Sequence, residues 1–149
     1  MDSGQIALDR FRGNCNCAQA VLSVFAPRYG LDEATALKIA CPFGGGMARM
    51  QKTCGAVTGA CMVIGLVRGT AVAGNSEEKE AVYRLVREFA DRFTARHAAT
   101  DCLTLLGHDL STEQGRQEAE DKKAYALRCE RYVVDAVMIL EDILGATVG

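Results

Sequence analysis

Apolar residues recur at helical spacing throughout this chain, whereas no segment alternates between apolar and polar residues over the length of a strand. The clearest apolar stripe lies in residues 76–97 and consists of Val82, Leu85, Val86, Phe89 and Phe93. A chain of 149 residues is long enough to bury one substantial core. These features predict a single all-α domain over residues 1–149, folded as an irregular bundle of about six or seven helices.

Capping residues and glycines indicate where these helices begin and end. Longer helices are predicted over residues 4–12, 15–28, 76–97 and 116–145, with shorter ones from Asp32 to Pro42, from Cys54, and from Thr100 to Gly107. The predicted N-terminal caps are Asn14, Asp32, Thr53, Asn75, and either Thr100 or Asp101, with Ser111 and Gln114 as a capping box for the last helix.

Composition and charge argue against two classes of partner. The net charge of −2 and the pI of about 5.7 provide no basic surface for nucleic acid. The stretch from Cys54 to Gly74 reaches the ~20 residues of a membrane span, but its glycines and Arg68 favour a buried helix instead. The first residues lack the basic and apolar regions of a signal peptide, so we expect a soluble protein of the cytoplasm.

Seven cysteines are present, and no two of them have CxxC spacing: Cys15, Cys17, Cys41, Cys54, Cys61, Cys102 and Cys129. In a reducing compartment, several cysteines more often indicate metal binding or redox chemistry than structural disulfides. Cys17, Cys54 and Cys102 fall in the first turns of predicted helices, where unpaired N–H groups favour the thiolate. We expect Arg49 and Lys52 to lower the thiol pKa of Cys54 further.

The other candidates have simpler interpretations. A single cysteine on an apolar helix face usually packs as a small hydrophobe, which is the prediction for Cys61. Cys15 and Cys41 stay undecided, although Cys41 precedes the glycine run at residues 44–46, which we expect to be either flexible or tightly packed. His97 is predicted to be solvated, and His108 to act at the end of a helix.

Five segments in order carry a resemblance to a known family: NCAQA at residues 16–20, FGGGM at 43–47, CGAVTG at 54–59, CLTLL at 102–106, and Cys129. This combination resembles the C_GCAxxG_C_C family, small bacterial and archaeal proteins described as redox-active, over nearly the whole chain. The resemblance implies that Cys17, Cys54, Cys102 and Cys129 are the signature cysteines. Cys15, Cys41 and Cys61 lie outside the motif.

Three hypotheses for the function remain open. In the first, the four signature thiolates bind a [2Fe–2S] cluster or another metal and serve an electron-transfer partner, because their dispersed spacing is atypical of structural zinc. In the second, Cys54 is the attacking thiolate of a thiol/disulfide oxidoreductase, resolved by Cys17 or Cys102. In the third, the chain is a helical interaction module whose cysteines only pack. The sequence leaves open whether the protein is an enzyme and is compatible with a homodimer.

Overall fold

The computed structural model describes residues 2–145, and within that range the chain forms eight α-helices and no β-strand. The helices are Ser3–Arg12 (α1), Cys17–Phe25 (α2), Glu33–Ala40 (α3), Gly55–Arg68 (α4), Ser76–His97 (α5), Cys102–Leu106 (α6), Glu113–Asp121 (α7) and Glu130–Leu144 (α8). Short 3₁₀ turns follow α2 and α3, and a π-helical turn at Tyr125–Cys129 precedes α8. The prediction of an all-α fold is confirmed. None of the described helices is long and apolar enough to cross a membrane.

Helices α2, α4 and α8 form the centre of the bundle, and α1, α3 and α5 pack around them. The largest side chains of this core are fully buried and include Leu22, Ile64, Phe89, Phe93 and Leu140. Helix α2 lies so close to α4 that a Cβ atom on Gly59 would come within 2.9 Å of the Ala18 carbonyl oxygen. The small residues of α4 therefore allow close helix packing.

Several predicted helix ends are confirmed. Each of them depends on a hydrogen bond between residues close together in the chain. The side chain of Asp32 caps α3 through the N–H of Thr35 at 2.9 Å. Asn75 caps α5 in the same way, and that helix spans the predicted Ser76–His97. Asp101 caps α6, and Gly107 ends it in the left-handed conformation.

The predicted start of α2 is wrong by two residues. Asn14 has a positive φ of 75°, and Asn16 is the N-terminal cap instead. Asn16 and Gln19 form a reciprocal capping box, with each side chain accepting the other's backbone N–H at 2.9 Å. This arrangement makes Cys17 the first residue of the helix, which ends at Phe25 and continues only as a 3₁₀ turn.

The predicted last helix, residues 116–145, is in fact divided. Helix α7 begins after Thr112, which caps it in place of Ser111, and ends at Asp121. Lys123 has a positive φ of 54°, and the chain then makes the π-helical turn that leads into α8. Neither proline nor glycine marks this break, so local sequence did not reveal it. A π turn changes the angular position of the residues around it, and here it ends on the buried Cys129.

Candidate functional site

Four separate helical elements bring Cys17, Cys54, Cys102 and Cys129 to one cavity of about 160 Å³. Cys17 and Cys102 are the first residues of α2 and α6, Cys54 is the N-terminal cap of α4, and Cys129 ends the π turn. The rest of the lining is mostly apolar: Phe11, Asn16, Gly45, Gly46, Gly55, Leu105, Leu106, Leu110, Tyr125 and Tyr132. No side chain of this lining carries a fixed charge.

A short backbone pairing holds Cys54 beside Cys102. Thr53 and Asp101 form an isolated antiparallel bridge. Across it, the N–H of Cys54 donates to the Thr100 carbonyl at 2.8 Å, and the N–H of Cys102 donates to the Lys52 carbonyl at 2.7 Å. Thr53 is therefore a bridge residue and not the predicted cap of α4, a position that Cys54 itself occupies.

The glycine run forms one wall of the cavity and is tightly packed. Five consecutive residues, from Gly45 to Arg49, have positive φ angles, and three of them carry side chains. The left-handed region costs about 1–2 kcal/mol per non-glycine residue, so the surrounding structure must hold this segment in place. Its backbone hydrogen bonds include those from Arg49 to Gly44 at 3.0 Å and from Lys52 to Gly46 at 2.9 Å.

Gly46 lies against Cys102, which explains why this position needs glycine. A Cβ atom at Gly46 would lie 2.6 Å from the Cβ atom of Cys102 and 2.8 Å from the Cα atom of Gln51. Its φ of 65° is also unfavourable for any residue with a side chain. The backbone at Gly46 therefore lies so close to Cys102 that no side chain fits between them.

Gln51 is a buried polar residue that the sequence did not single out. Its Nε2 atom donates to the His108 carbonyl at 2.7 Å and to the Sγ atom of Cys102 at 3.9 Å. Its Oε1 atom accepts the N–H of Leu110 at 2.8 Å. Gln51 thus joins the glycine loop to the segment after α6 and holds a donor beside the Cys102 sulfur. A glutamine in a short polar segment carries no signal that would have revealed this role.

Cys54 is the signature cysteine whose thiol pKa is lowered. A hydrogen bond from Cys17 is the main cause and outweighs the opposing effect of burial. The backbone N–H groups of Ala56 and Val57, at the start of α4, also lower the pKa. The prediction of a favoured thiolate is thus confirmed for Cys54, but Arg49 and Lys52 are not the cause and neither side chain lines the cavity.

The thiol pKa values of Cys17 and Cys102 are raised, in contrast to that of Cys54. Hydrogen bonding to Cys129 and Cys54, together with burial, holds the pKa of Cys17 well above its usual range. Burial and the nearby Cys54 raise the pKa of Cys102 to about 12, and the Gln51 hydrogen bond offsets only part of this. The expectation that all three helix starts favour thiolates is therefore wrong for these two, since desolvation and neighbouring sulfurs outweigh the helix ends.

A larger and more open groove of about 670 Å³ adjoins the cysteine cavity. The two spaces share five lining residues: Phe11, Asn16, Gly45, Leu110 and Tyr125. The groove contains the half-buried Cys15 and the exposed Cys41, together with Arg49 and Glu120. Cys61 lies away from both spaces and packs against the core, in agreement with its predicted role.

Tyr132 supports the cavity from the side of α8. Its hydroxyl donates to the Leu105 carbonyl at 2.7 Å, and its ring contacts the ring of His97 with centroids 4.8 Å apart. His97 was predicted to be solvated, but its side chain is only 6% exposed and is hydrogen bonded to Asp135 at 2.8 Å. The last turn of α5 packs on α8, and this long-range contact buries the imidazole.

Within residues 2–145, no three His, Cys, Asp or Glu side chains are grouped so that they could hold a metal ion. The four signature sulfurs line a common cavity without surrounding a single ion position. As a donor set, however, four cysteines match the ligands of an iron–sulfur cluster, which is larger than one ion.

The fold and the cavity define a class of protein: an all-α protein in which four cysteines from separate helical elements line one cavity. The chain belongs to the family described as "Putative redox-active protein (C_GCAxxG_C_C)", whose model matches residues 15–143 and so includes all four signature cysteines. Neither a curated protein nor a solved structure matches the chain.

Proposed function

We propose that this protein is a thiol–disulfide redox protein in which Cys54 is the attacking thiolate and Cys17 the resolving thiol. The observation that carries the proposal is the position of Cys17 against the start of α4, where a Cβ atom on Gly55 would lie 3.0 Å from the Cβ atom of Cys17. From there Cys17 lowers the pKa of Cys54, while the pKa of Cys17 itself is raised. A reactive thiolate beside a protonated thiol is the arrangement that disulfide exchange requires.

The reaction consumes one low-molecular-weight disulfide, R–S–S–R. The Cys54 thiolate attacks one sulfur, so that a Cys54–S–S–R bond forms and the R–S⁻ thiolate leaves. Cys17 then attacks the Cys54 sulfur, transfers its proton to a departing R–S⁻, and closes the Cys17–Cys54 disulfide. Two electrons pass from the two cysteines to the small disulfide, which is released as one thiol and one thiolate, and the thiolate takes up a proton from solvent.

The other two signature cysteines have different environments. Burial raises the thiol pKa of Cys102 to about 12, and Cys102 is not among the groups that lower the pKa of Cys54. Cys129 is buried, lines the same cavity as Cys17 and raises the pKa of Cys17. We assign the resolving role to Cys17 because Cys17 is the residue whose hydrogen bond lowers the pKa of Cys54.

Thiol counting and disulfide mapping test this proposal. Reduced protein, prepared without oxygen, is treated with a small disulfide, and the oxidised cysteines are located by mass spectrometry. We expect about two thiols per chain to be lost to a Cys17–Cys54 disulfide. Cys17→Ser should accumulate the mixed disulfide on Cys54, and Cys54→Ser should block the reaction. Cys61→Ser is the matched control and should react like the unaltered chain. A disulfide between other cysteines would contradict the assignment.

A second candidate function is that of an iron–sulfur electron carrier, favoured by the four cysteines around one uncharged cavity. A cavity of about 150 Å³ holds a molecule the size of benzene, so the space of about 160 Å³ suits a small cluster. Cys17, Cys54, Cys102 and Cys129 would hold the cluster, which would supply one-electron transfer to a partner protein.

Metal analysis separates the two candidates. Protein purified without oxygen should be colourless and metal-free under the thiol–disulfide proposal. A brown protein with about two irons per chain and charge-transfer absorption, lost on replacing any of the four cysteines, would support the cluster instead.

A further inference from the structure

The groove beside the cysteine cavity has the features of a binding site for a small molecule. Its volume of about 670 Å³ is in the range of small-molecule pockets, and its lining mixes polar and apolar groups. Asn16, Gly45 and Tyr125 belong to the lining of both spaces, so a ligand seated in the groove touches the wall of the cysteine cavity.

Two opposite charges face this groove without a partner. Arg49 and Glu120 both line it, and neither side chain forms an ion pair or hydrogen bond with another described residue. Glu120 raises the pKa of Tyr125 and Arg49 lowers it, so both charges lie near this residue of the shared wall. Two charges that line one groove but remain unpaired match a ligand that carries both a carboxylate and an ammonium group.

Arg49 is presented by a rigid segment. It ends the run of positive φ angles, and its backbone N–H donates to the Gly44 carbonyl at 3.0 Å. Glu120 lies on a different element, in the last turn of α7. A guanidinium group on a fixed loop loses little backbone freedom when it binds a carboxylate, which favours recognition.

We propose that the groove binds a zwitterionic, amino-acid-derived disulfide of low molecular weight, with its carboxylate at Arg49 and its ammonium group at Glu120. The inference rests on the proposed thiol–disulfide function and names the substrate class of that site. The ligand's disulfide bond then extends past the shared lining into the cysteine cavity, where the Cys54 thiolate attacks one sulfur and the other leaves towards the groove as a thiolate. Cys17 completes the exchange and releases the second half as a thiol.

Rates of oxidation with two disulfides test the charge recognition. The experiment uses the full chain with Cys15, Cys41 and Cys61 replaced by Ser, and compares glutathione disulfide with the uncharged hydroxyethyl disulfide. We expect glutathione disulfide to form the Cys17–Cys54 disulfide about tenfold faster, since one charge-assisted contact contributes about that factor. Arg49→Gln and Glu120→Gln should each remove most of the preference.

Two further variants serve as controls. Arg49→Lys retains the charge and should retain part of the preference. Lys52→Gln removes a nearby exposed charge that does not line the groove and should leave the preference unchanged. Equal rates for the two disulfides, or a preference that survives both Arg49→Gln and Glu120→Gln, would overturn the inference while leaving the proposed function intact.

A binding measurement tests the groove independently of the disulfide exchange. S-methylglutathione cannot take part in exchange, so its binding to the Cys54→Ser variant reports on the groove alone. We expect chemical-shift changes in the amides of residues 44–49 and in Tyr125, which disappear in Arg49→Gln. Absence of these changes would overturn the inference. Failure of both disulfides to oxidise Cys17 and Cys54 would instead overturn the proposed function.

Discussion

Cys17 lies against the start of α4, where a Cβ atom on Gly55 would come within 3.0 Å of the Cβ atom of Cys17. From this position Cys17 lowers the pKa of Cys54, while Cys129 and Cys54 raise the pKa of Cys17. Cys17 and Cys54 are 37 positions apart in the chain, and the close packing of α2 on α4 brings them together. Two identical side chains thus have thiol pKa values that are shifted in opposite directions. This difference distinguishes a reactive thiol from a group of cysteines that only fill space.

Replacing Cys17 should therefore change the reactivity of Cys54. In Cys17→Ala the hydrogen bond is lost, so the pKa of Cys54 should rise and its thiolate fraction at neutral pH should fall. The pH dependence of alkylation by iodoacetamide, followed at Cys54 by mass spectrometry, measures this shift. Cys61→Ala is the matched control and should leave the profile of Cys54 unchanged. An unaltered profile in Cys17→Ala would contradict the assigned contact.

Gly46→Ala should destabilise the fold by about 3 kcal/mol, because overpacking and a left-handed φ act together. The added Cβ atom would meet the Cβ atom of Cys102 at 2.6 Å. Gly30→Ala is a matched comparison, since Gly30 also has a positive φ, of 82°, but nothing lies within 4 Å of the added atom. That variant should lose only about 1 kcal/mol. Urea unfolding of the reduced proteins measures both values, and similar losses would refute the close approach to Cys102.

Gln51→Met should remove the amide contacts of Gln51 and leave the His108 carbonyl and the Leu110 N–H without their partners. Each buried group left unpaired costs about 1–3 kcal/mol, so the free energy of unfolding should fall measurably. The amide of Leu110 should also exchange with solvent faster. Gln117→Met is the control, because Gln117 is exposed and bonds only to Asp121. Normal protection of Leu110 in Gln51→Met would count against the bridging role.

The stability of the reduced protein should decrease in alkaline solution. The pKa of Cys102 is about 12 in the fold against an ordinary value of 9.0, so the folded state holds this proton more tightly than the unfolded state. Its contribution is fully present below pH 9.0 and is lost as the pH rises towards 12. Cys17 acts in the same direction, and Cys54, whose pKa is lowered, acts in the opposite direction.

Cys102→Ser isolates that contribution. Its free energy of unfolding should fall less steeply above pH 9.0 than that of the unaltered chain, because serine does not ionise there. Urea unfolding under reducing conditions at several pH values provides the measurement, with Cys61→Ser for comparison. Parallel slopes for Cys102→Ser and the unaltered chain would rule out an elevated pKa at Cys102.

Much of the helix pattern could be predicted from local sequence. Asp32, Asn75 and Gly107 act at helix ends through contacts within a few residues, so the pattern of residue types was sufficient. The start of α2 was harder to predict, because Asn14 and Asn16 are both good caps and only the pairing of Asn16 with Gln19 distinguishes them. The break before α8 has no proline or glycine and escaped detection.

The candidate site, like the helix pattern, could be predicted only in part from the sequence. Helix starts identified Cys17, Cys54 and Cys102, and family resemblance added Cys129. The cluster hypothesis expected these four to converge, and all four line one cavity. Gln51 and the left-handed glycine loop were not predicted, since their roles depend on contacts with the segment after α6. The burial of His97 likewise follows from the packing of α5 on α8.

The sequence by itself determined the all-α class, most of the helices and the four cysteines that line the cavity, because periodicity, capping and motifs act over short distances along the chain. Tertiary structure alone decided which sulfurs touch, which one has a lowered pKa and what lies beside the cavity. The physical reason is that desolvation and sulfur–sulfur hydrogen bonds depend on segments 37 and 48 residues apart in the chain. Helix starts favour thiolates in general, but hydrogen bonding to other cysteines reversed that preference at Cys17, and burial reversed it at Cys102. The preference remained in effect at Cys54.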